Sequence, residues 1–224
     1  MPPSPNRPVS PVWPLLAGGL FLVLTTLVAT GATAGFDRAL EAPSLDPVGQ
    51  LAQILLVIAV VTHPFVLIAV GLALAIWLAR RRRRLAWVVA AGMTLGPLVQ
   101  LGLKAVFQRA RPESTLAWAI GQGGYAYPSG HATAIAIMTL LVVRVVGDLQ
   151  VRRIWRQVGA ALAILVVTLD RWAMSAHWVT DLVGGVLWGT TVATTGLVIL
   201  DRTPGGRREL EVADSAMDPW EPPA

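Results

Sequence analysis

Six long apolar runs, separated by short polar stretches, dominate the pattern of hydrophobic and polar positions along the chain. They extend over about residues 12–34, 51–79, 85–107, 129–147, 158–175 and 178–200. Because about 20 apolar residues suffice for a helix to cross a bilayer, each run predicts a transmembrane helix. We therefore expect an all-α, polytopic membrane protein whose single domain of six transmembrane helices occupies residues 12–200. The flanking residues 1–11 and 201–224 are predicted to be disordered and cytoplasmic.

The first two runs carry features that invite other interpretations. Run 12–34 ends in "ATAG", which imitates a signal-peptidase site. Because the run is longer than a typical signal sequence, we predict a retained helix. In run 51–79, Pro64 predicts a kink. His63, directly before it, is interpreted as a buried and hydrogen-bonded side chain rather than as a ligand.

Composition and charge narrow the classes of function. The chain contains no cysteine, which excludes disulfide, thiol and zinc–thiolate chemistry. Its net charge of +5 does not indicate a nucleic-acid partner, because the arginines cluster beside apolar runs, as topology determinants do. If the chain crosses the membrane six times, most of the arginines lie on one membrane face. They are Arg7, Arg80–Arg84, Arg152, Arg153, Arg156, Arg202, Arg207 and Arg208. This face is predicted to be cytoplasmic and to carry both termini.

Basic residues on the opposite face break this rule and need another explanation. They are Arg38, Lys104, Arg109, Arg111 and Arg171. Lys104 lies inside an apolar run and Arg171 near the end of one, where ionisable groups are costly and usually functional. Interfacial snorkelling is the alternative for any one of them.

The first candidate stretch is "KAVFQRARP", Lys104 to Pro112. Lys104 and Arg111 are seven residues apart, so they share a helix face if the helix continues to Arg111. The planar guanidinium fork fits phosphate oxygens. Together these cations predict a site that neutralises a phosphate without a metal.

The second stretch, "YPSGH", stands directly before an apolar run. Pro128 restrains the loop, Ser129 is a good N-cap, and Gly130 lets backbone amides approach a ligand. A helix start of this kind binds anions, and His131 lies in its first turn.

The third stretch is "DRWAMSAHWVTD", Asp170 to Asp181. His177 and Asp181 are four residues apart, so on a helix they share a face and can touch. A carboxylate against one imidazole nitrogen fixes the tautomer and raises the basicity of the other nitrogen. Alone, such a pair is equally compatible with a structural role.

Together the three stretches resemble the type 2 phosphatidic acid phosphatase (PAP2) family, which is related to vanadium haloperoxidases. The family pattern is K-x6-R-P, then P-S-G-H, then S-R-x5-H-x3-D, and all three blocks occur here in order. One position departs, because Asp170 stands where the family has serine. We expect Asp170 to pair with Arg171 and to weaken its hold on phosphate. The resemblance implies a haloperoxidase-like helical bundle core.

The resemblance also implies a metal-independent phosphatase that needs no cofactor. His177 would be the nucleophile and form a phosphohistidine, His131 would be the general acid, and Asp181 would orient His177. The implied phosphate-binding residues are Lys104, Arg111, Ser129, Gly130 and Arg171.

The implied substrate is a lipid phosphate or diphosphate that reaches the site from the extracytoplasmic face of the cell membrane. A polyprenyl diphosphate such as undecaprenyl diphosphate, phosphatidic acid and phosphatidylglycerophosphate all fit. A phosphotransferase of the same superfamily and a non-catalytic lipid-phosphate binding or transport protein are the alternatives. The expected partners are substrate and membrane lipids, with no nucleic acid, and the sequence does not indicate an oligomeric state.

Three glycine-containing motifs are not interpreted as sites for phosphate. "GMTLG" (Gly92 to Gly96) and "GVLWG" (Gly185 to Gly189) are small-xxx-small patterns, which predict close helix packing. "GQGG" (Gly121 to Gly124) is predicted to belong to a flexible lid over the site.

Overall fold

The computed structural model describes residues 8–43, 45, 46, 48–113, 124–148 and 153–205, and every regular element within these ranges is helical. The helices are α1 (Val12–Ala29), α2 (Ala34–Ala39), α3 (Gln50–Val61), α4 (Pro64–Ala79), α5 (Arg83–Phe107), α6 (Gly130–Val145), α7 (Arg153–Ala173) and α8 (Val179–Arg202). A turn of 3-10 helix, Val146–Asp148, follows α6. The predicted all-α fold class is therefore confirmed for the described part of the chain.

The length and apolar character of the helices make the chain a multi-pass membrane protein. Within the described ranges, α1, α5 and α8 are each long and apolar enough to cross a membrane. Helices α3 and α4 together form a fourth candidate span, bent by 41° at a break. Helix α6 is apolar but has only 16 residues. The count of six spans remains a prediction.

The observed helices differ from the predicted runs in three places. Run 51–79 is divided into α3 and α4, and the division occurs directly before Pro64, where the kink was expected. The loop after the first run contains the short helix α2. Helix α7 begins at Arg153, so part of the predicted linker before it is helical.

Some predictions concern residues outside the described ranges. Disorder is predicted for both ends of the chain, and residues 1–7 and 206–224 are not among the described residues. Residues 121–123, most of the predicted lid, lie outside them as well.

Helix α6 lies at the centre of the bundle, and glycines of α5 allow it to approach closely. A Cβ atom added at Gly96 would lie 2.5 Å from the Cδ1 atom of Ile137, and one at Gly92 would lie 3.3 Å from the Cδ1 atom of Leu141. Both isoleucine and leucine belong to α6 and are buried in the main hydrophobic core. The packing role predicted for "GMTLG" is confirmed.

Glycines of α8 contact the other side of α6, and there the contact is with backbone. A Cβ atom at Gly185 would lie 2.5 Å from the carbonyl oxygen of Ser129, and one at Gly189 would lie 2.6 Å from that of Thr133. The packing role predicted for "GVLWG" is likewise confirmed. Because backbone cannot rotate away as a side chain can, these two glycines fix the position of α6 and of its first turn.

Helix α1 carries no family motif, yet it holds the loop that precedes α6. Tyr127 of that loop is fully buried, and its hydroxyl lies 2.7 Å from the hydroxyl of Thr25. Its ring is nearly parallel to that of Phe21, with centroids 6.3 Å apart. Burial raises the pKa of Tyr127 to about 12, so the hydroxyl stays neutral in this apolar setting.

An ion pair joins α6 and α8 at the end of the bundle away from the helix starts at Gly130 and Val179. Arg144 donates to Asp201 at 2.5 Å, and the amide of Val9 donates to the same carboxylate at 2.7 Å. Asp201, which the sequence assigned to the tail, therefore belongs to α8 and is buried.

Candidate active site

A cavity of about 540 Å³ lies between the α3–α4 break, the second half of α5 and the start of α6. It is lined by Ala59, Val60, His63, Pro64, Phe65, Ile68, Pro97, Gln100, Leu101, Lys104, Ala105, Arg111, Gly124, Tyr125, Gly130, His131 and His177. Five of the predicted site residues, from all three sequence stretches, thus share one cavity. The other three, Ser129, Arg171 and Asp181, do not line the cavity and are fully buried.

His177 is held as a neutral imidazole whose unprotonated nitrogen faces Arg111. It is 2% exposed, and its Nε2 atom lies 3.2 Å from Nη1 of Arg111. A guanidinium only donates, so Nε2 is the acceptor and Nδ1 carries the proton. Burial lowers the pKa of His177 well below 6.5, and the positive charges of Arg111 and Lys104 lower it further. The nitrogen lone pair is therefore unprotonated at neutral pH.

Asp181 lies beside the protonated nitrogen of this ring. Its Oδ2 atom is 3.6 Å from Nδ1 of His177 and accepts the backbone amide of Trp178 at 2.9 Å. The two side chains lie close together as expected, but not on one helix face, because α8 begins only at Val179. The two side chains meet because Asp181, in the first turn, turns back over the helix start.

A buried ion network that the sequence did not predict holds the Asp181 carboxylate in place through Arg109. Arg109 donates from Nη1 to Asp181 at 2.6 Å and from Nη2 to Asp37 at 2.5 Å. Asp37, in α2, also accepts the amide and hydroxyl of Thr180, at 3.1 and 2.7 Å. One guanidinium therefore bridges two buried carboxylates, and this holds the start of α8 against α2.

Lys104 and Arg111 both line the cavity, but not as residues on one helix face. Helix α5 ends at Phe107, and Gln108 adopts a left-handed conformation with a φ of 45°. Arg111 therefore lies in the loop, where its Nη1 atom donates to the carbonyl of Ala176 at 2.6 Å. Lys104 donates to the carbonyl of Tyr125. The condition for a shared helix face, continuation of the helix to Arg111, is not met, although both residues line the same cavity.

The start of α6 follows the sequence prediction closely. Ser129 is the N-cap, and its hydroxyl accepts the amide of Ala132 at 3.5 Å. Gly130 lies against Gln100, and a Cβ atom added there would be 3.4 Å from the Gln100 side-chain oxygen. Gln100 in turn donates to the carbonyl of Pro128 at 2.8 Å, which ties α5 to the loop.

The break between α3 and α4 supplies a hydrogen-bond partner for His131. In a continuous helix the carbonyl of Ala59 would accept the amide of His63, but that amide donates to Val60 at 3.2 Å. Nε2 of His131 lies 3.3 Å from the Ala59 carbonyl oxygen and is thus the donor. Its Nδ1 atom is then the nitrogen that can take up and release a proton.

Arg171 is paired with Asp170, as the departure from the family pattern led us to expect. Nε of Arg171 donates to Oδ2 of Asp170 at 2.7 Å, and Nη2 donates to the same oxygen. The Arg171 side chain is fully buried, and its Nη1 atom has no hydrogen-bond partner. A buried donor without a partner is costly, so Nη1 is suited to receive an oxygen of a bound anion.

We expect Asp170→Ser to tighten the binding of inorganic phosphate while it destabilises the ligand-free protein. Phosphate oxygens compete with Asp170 for the Arg171 guanidinium, so the Ki of phosphate should fall about 3- to 10-fold. Removal of a buried partner leaves an uncompensated charge, so the melting temperature without phosphate should fall as well. Asp170→Asn, which keeps the shape without the charge, is the matched control. Weaker inhibition by phosphate in Asp170→Ser would show that Asp170 holds Arg171 in its binding geometry.

The predicted hydrogen bond of His63 is present, but its predicted burial inside a helix is wrong. His63 is not enclosed within a helix but forms the N-cap of α4, is only partly buried, and lines the cavity. Its ring centroid lies 5.5 Å from that of His131, with the two rings nearly perpendicular. The signal that could have found it is Pro64, because a break in a membrane helix is tolerated only where it is buried in protein or lines a cavity.

Comparison with known proteins identifies the family of the chain and a solved structure with a similar fold. The sequence matches the family model of the PAP2 superfamily over residues 85–203, more than half of the 224 residues. The fold is similar to the crystal structure of the first transmembrane PAP2 type phosphatidylglycerolphosphate phosphatase from Bacillus subtilis. The match has a TM-score of 0.68 and 19% sequence identity, and it covers 82% of this chain and 94% of that chain. Among curated proteins, none matches the sequence.

Proposed function

Since the chain is a phosphatase that belongs to the PAP2 superfamily, we propose that it hydrolyses a lipid phosphate or diphosphate through a phosphohistidine intermediate. The observation that carries the proposal is the unprotonated Nε2 atom of His177 in the wall of a cavity shared with His131 and two cations. Nε2 attacks phosphorus, and the bond from phosphorus to the leaving oxygen breaks. His131 gives that oxygen a proton. Water then attacks the phosphohistidine and releases inorganic phosphate.

Each remaining residue of the predicted set has a role in this reaction. Asp181 orients His177 and stabilises the positive charge that develops on its ring. Lys104, Arg111 and Arg171 hold the equatorial phosphoryl oxygens, where charge accumulates in the transition state. The backbone amide of Gly130 and the hydroxyl of Ser129 complete this set at the start of α6.

The substrate class is supported by the composition of the cavity wall. Phe65, Ile68, Pro97 and Leu101 provide an apolar surface beside the cations. A lipid can place its tail along this surface while its phosphate meets the charged end. The three candidate substrates are phosphatidylglycerophosphate, phosphatidic acid and a polyprenyl diphosphate. The first of them is the substrate in the name of the structural neighbour.

The arginine distribution supports an extracytoplasmic site in a six-helix protein. The arginines of residues 80–84, together with Arg153 and Arg202, lie at helix ends away from the cavity. Because positive charge favours the cytoplasmic face, the cavity opens on the other face and both termini are cytoplasmic.

The decisive experiment measures phosphate release by purified protein from each of the three candidate lipids, with and without EDTA. We expect release of inorganic phosphate from at least one lipid at a rate that EDTA does not change. Activity that disappears in EDTA and returns only with added metal would refute the metal-independent mechanism. Consumption of lipid without phosphate release would indicate transfer to another acceptor, and binding without consumption would indicate a binding or transport protein.

A further inference from the structure

The cavity contains an imidazole to which the proposed reaction gives no role. His63 lies beside His131 at the α3–α4 break and borders the same space as His177, Lys104 and Arg111. The phosphoryl group that is transferred already has its cations, its nucleophile and its acid. His63 is therefore available to contact another part of the substrate.

The orientation of His63 makes it a hydrogen-bond donor. Its Nδ1 atom accepts the backbone amide of Phe65 at 3.4 Å, so the neutral ring carries its proton on Nε2. The ring also packs on that of Phe65, with centroids 5.3 Å apart, which limits its rotation. The chain thus presents an N–H donor at a cavity wall to which Pro64, Phe65 and Ile68 also contribute.

The neighbouring acid indicates which part of the substrate His63 meets. In the proposed reaction, His131 protonates the oxygen that leaves, so a side chain in contact with His131 lies near the group attached to that oxygen. In a monophosphate ester this group is carbon, which carries at most neutral hydroxyl or ester oxygens nearby, and in a prenyl monophosphate it offers an N–H donor no partner. In a diphosphate it is a second, negatively charged phosphate, which accepts hydrogen bonds strongly.

We propose that His63 binds the lipid-attached phosphate of a lipid diphosphate, while the terminal phosphate is transferred to His177. The proposal rests on the proposed function and narrows its substrate class. The bond from the terminal phosphorus to the bridging oxygen breaks, a bond to Nε2 of His177 forms, and His131 gives its proton to the bridging oxygen. A lipid monophosphate leaves, held by His63 until it dissociates, and water then releases the terminal phosphate.

The test compares farnesyl diphosphate with farnesyl monophosphate, which carry the same tail. The variant is His63→Ser, because serine keeps an N-cap acceptor for α4 but lacks the imidazole donor. We expect kcat/KM for the diphosphate to fall about 10- to 100-fold, as for loss of a hydrogen bond to a charged group, and that for the monophosphate to change less than about 3-fold.

A second measurement uses inorganic inhibitors. The Ki of pyrophosphate should rise about 10-fold in His63→Ser, whereas the Ki of phosphate, which needs only the terminal subsite, should change less than about 2-fold. An unchanged melting temperature in detergent confirms that the helix break is intact.

Equal losses for both farnesyl substrates, or no loss for either, would overturn the second-phosphate site. Wild-type protein that releases phosphate from phosphatidylglycerophosphate but from neither farnesyl substrate would overturn it too, and would leave the phosphatase reaction standing. Wild-type protein that releases no phosphate from any of these lipids would overturn the proposed function itself.

Discussion

Replacement of His177 by alanine is expected to abolish phosphate release, with kcat reduced by about four orders of magnitude or more. The reason is that no other described side chain offers an unprotonated nitrogen beside both Arg111 and Asp181. The fold should survive, because His177 lies in the loop before α8 and its side-chain nitrogens face the polar groups of Arg111 and Asp181. The measurements are kcat for the best lipid substrate and the melting temperature in detergent.

Trapping of the covalent intermediate provides the control for this prediction. A substrate with a radiolabelled phosphoryl group should leave an acid-labile, base-stable label on wild-type protein and none on His177→Ala. His131→Ala should still become labelled by a nitrophenyl phosphate, whose leaving group needs no proton. A labelled His177→Ala protein, or one that retains more than about a hundredth of the wild-type rate, would contradict the assignment of the nucleophile.

Substitution of Gly185 by alanine is expected to damage both the stability and the active site. The new Cβ atom would lie 2.5 Å from the carbonyl oxygen of Ser129 and 2.8 Å from the Cβ atom of Ala132, so α6 must shift. Overpacking of this kind costs about 1–3 kcal/mol in the free energy of unfolding. Because His131 is in the turn that moves, kcat should fall as well. The measurements are thermal unfolding in detergent and kcat on the same preparations.

Gly159→Ala is the matched control for Gly185→Ala. Gly159 lies inside α7, and a Cβ atom added there would have no neighbour within 4 Å. The control shares the gain in helix propensity, roughly 1 kcal/mol, but not the clash. If the two variants unfold at the same temperature, the close contact between α8 and the start of α6 does not limit stability.

The residues that sequence patterns located well are those whose signal is local. The apolar runs gave the helices, Ser129 was recognised as an N-cap, and the three spaced blocks identified residues that line one cavity. Each of these follows from periodicity, capping or fixed spacing within about ten neighbouring residues. Close packing of the glycine stripes was predictable for the same reason.

The features that sequence patterns missed depend on contacts between distant segments. The sequence identifies Arg109 only as a basic residue on the face opposite the predicted cytoplasmic one. Its ion pairs are not predictable in this way, because Asp37 and Asp181 are each 72 residues away. Arg111 lies in the loop after α5, and its hydrogen bond to the carbonyl of Ala176 joins residues 65 positions apart. His63 was interpreted as buried because the sequence shows that Pro64 disturbs the helix but not what the break faces.

The contact between Asp37 and Arg109 shows that the candidate site depends on residues outside the region matched to the family. The region that defines the family, residues 85–203, contains every motif residue but neither Asp37 nor the α3–α4 break. A fragment limited to that region would leave Arg109 with one carboxylate instead of two, and it would deprive His131 of the Ala59 carbonyl. Asp37 and Ala59, both within the first 84 residues, therefore support side chains of the candidate site from outside the region matched to the family.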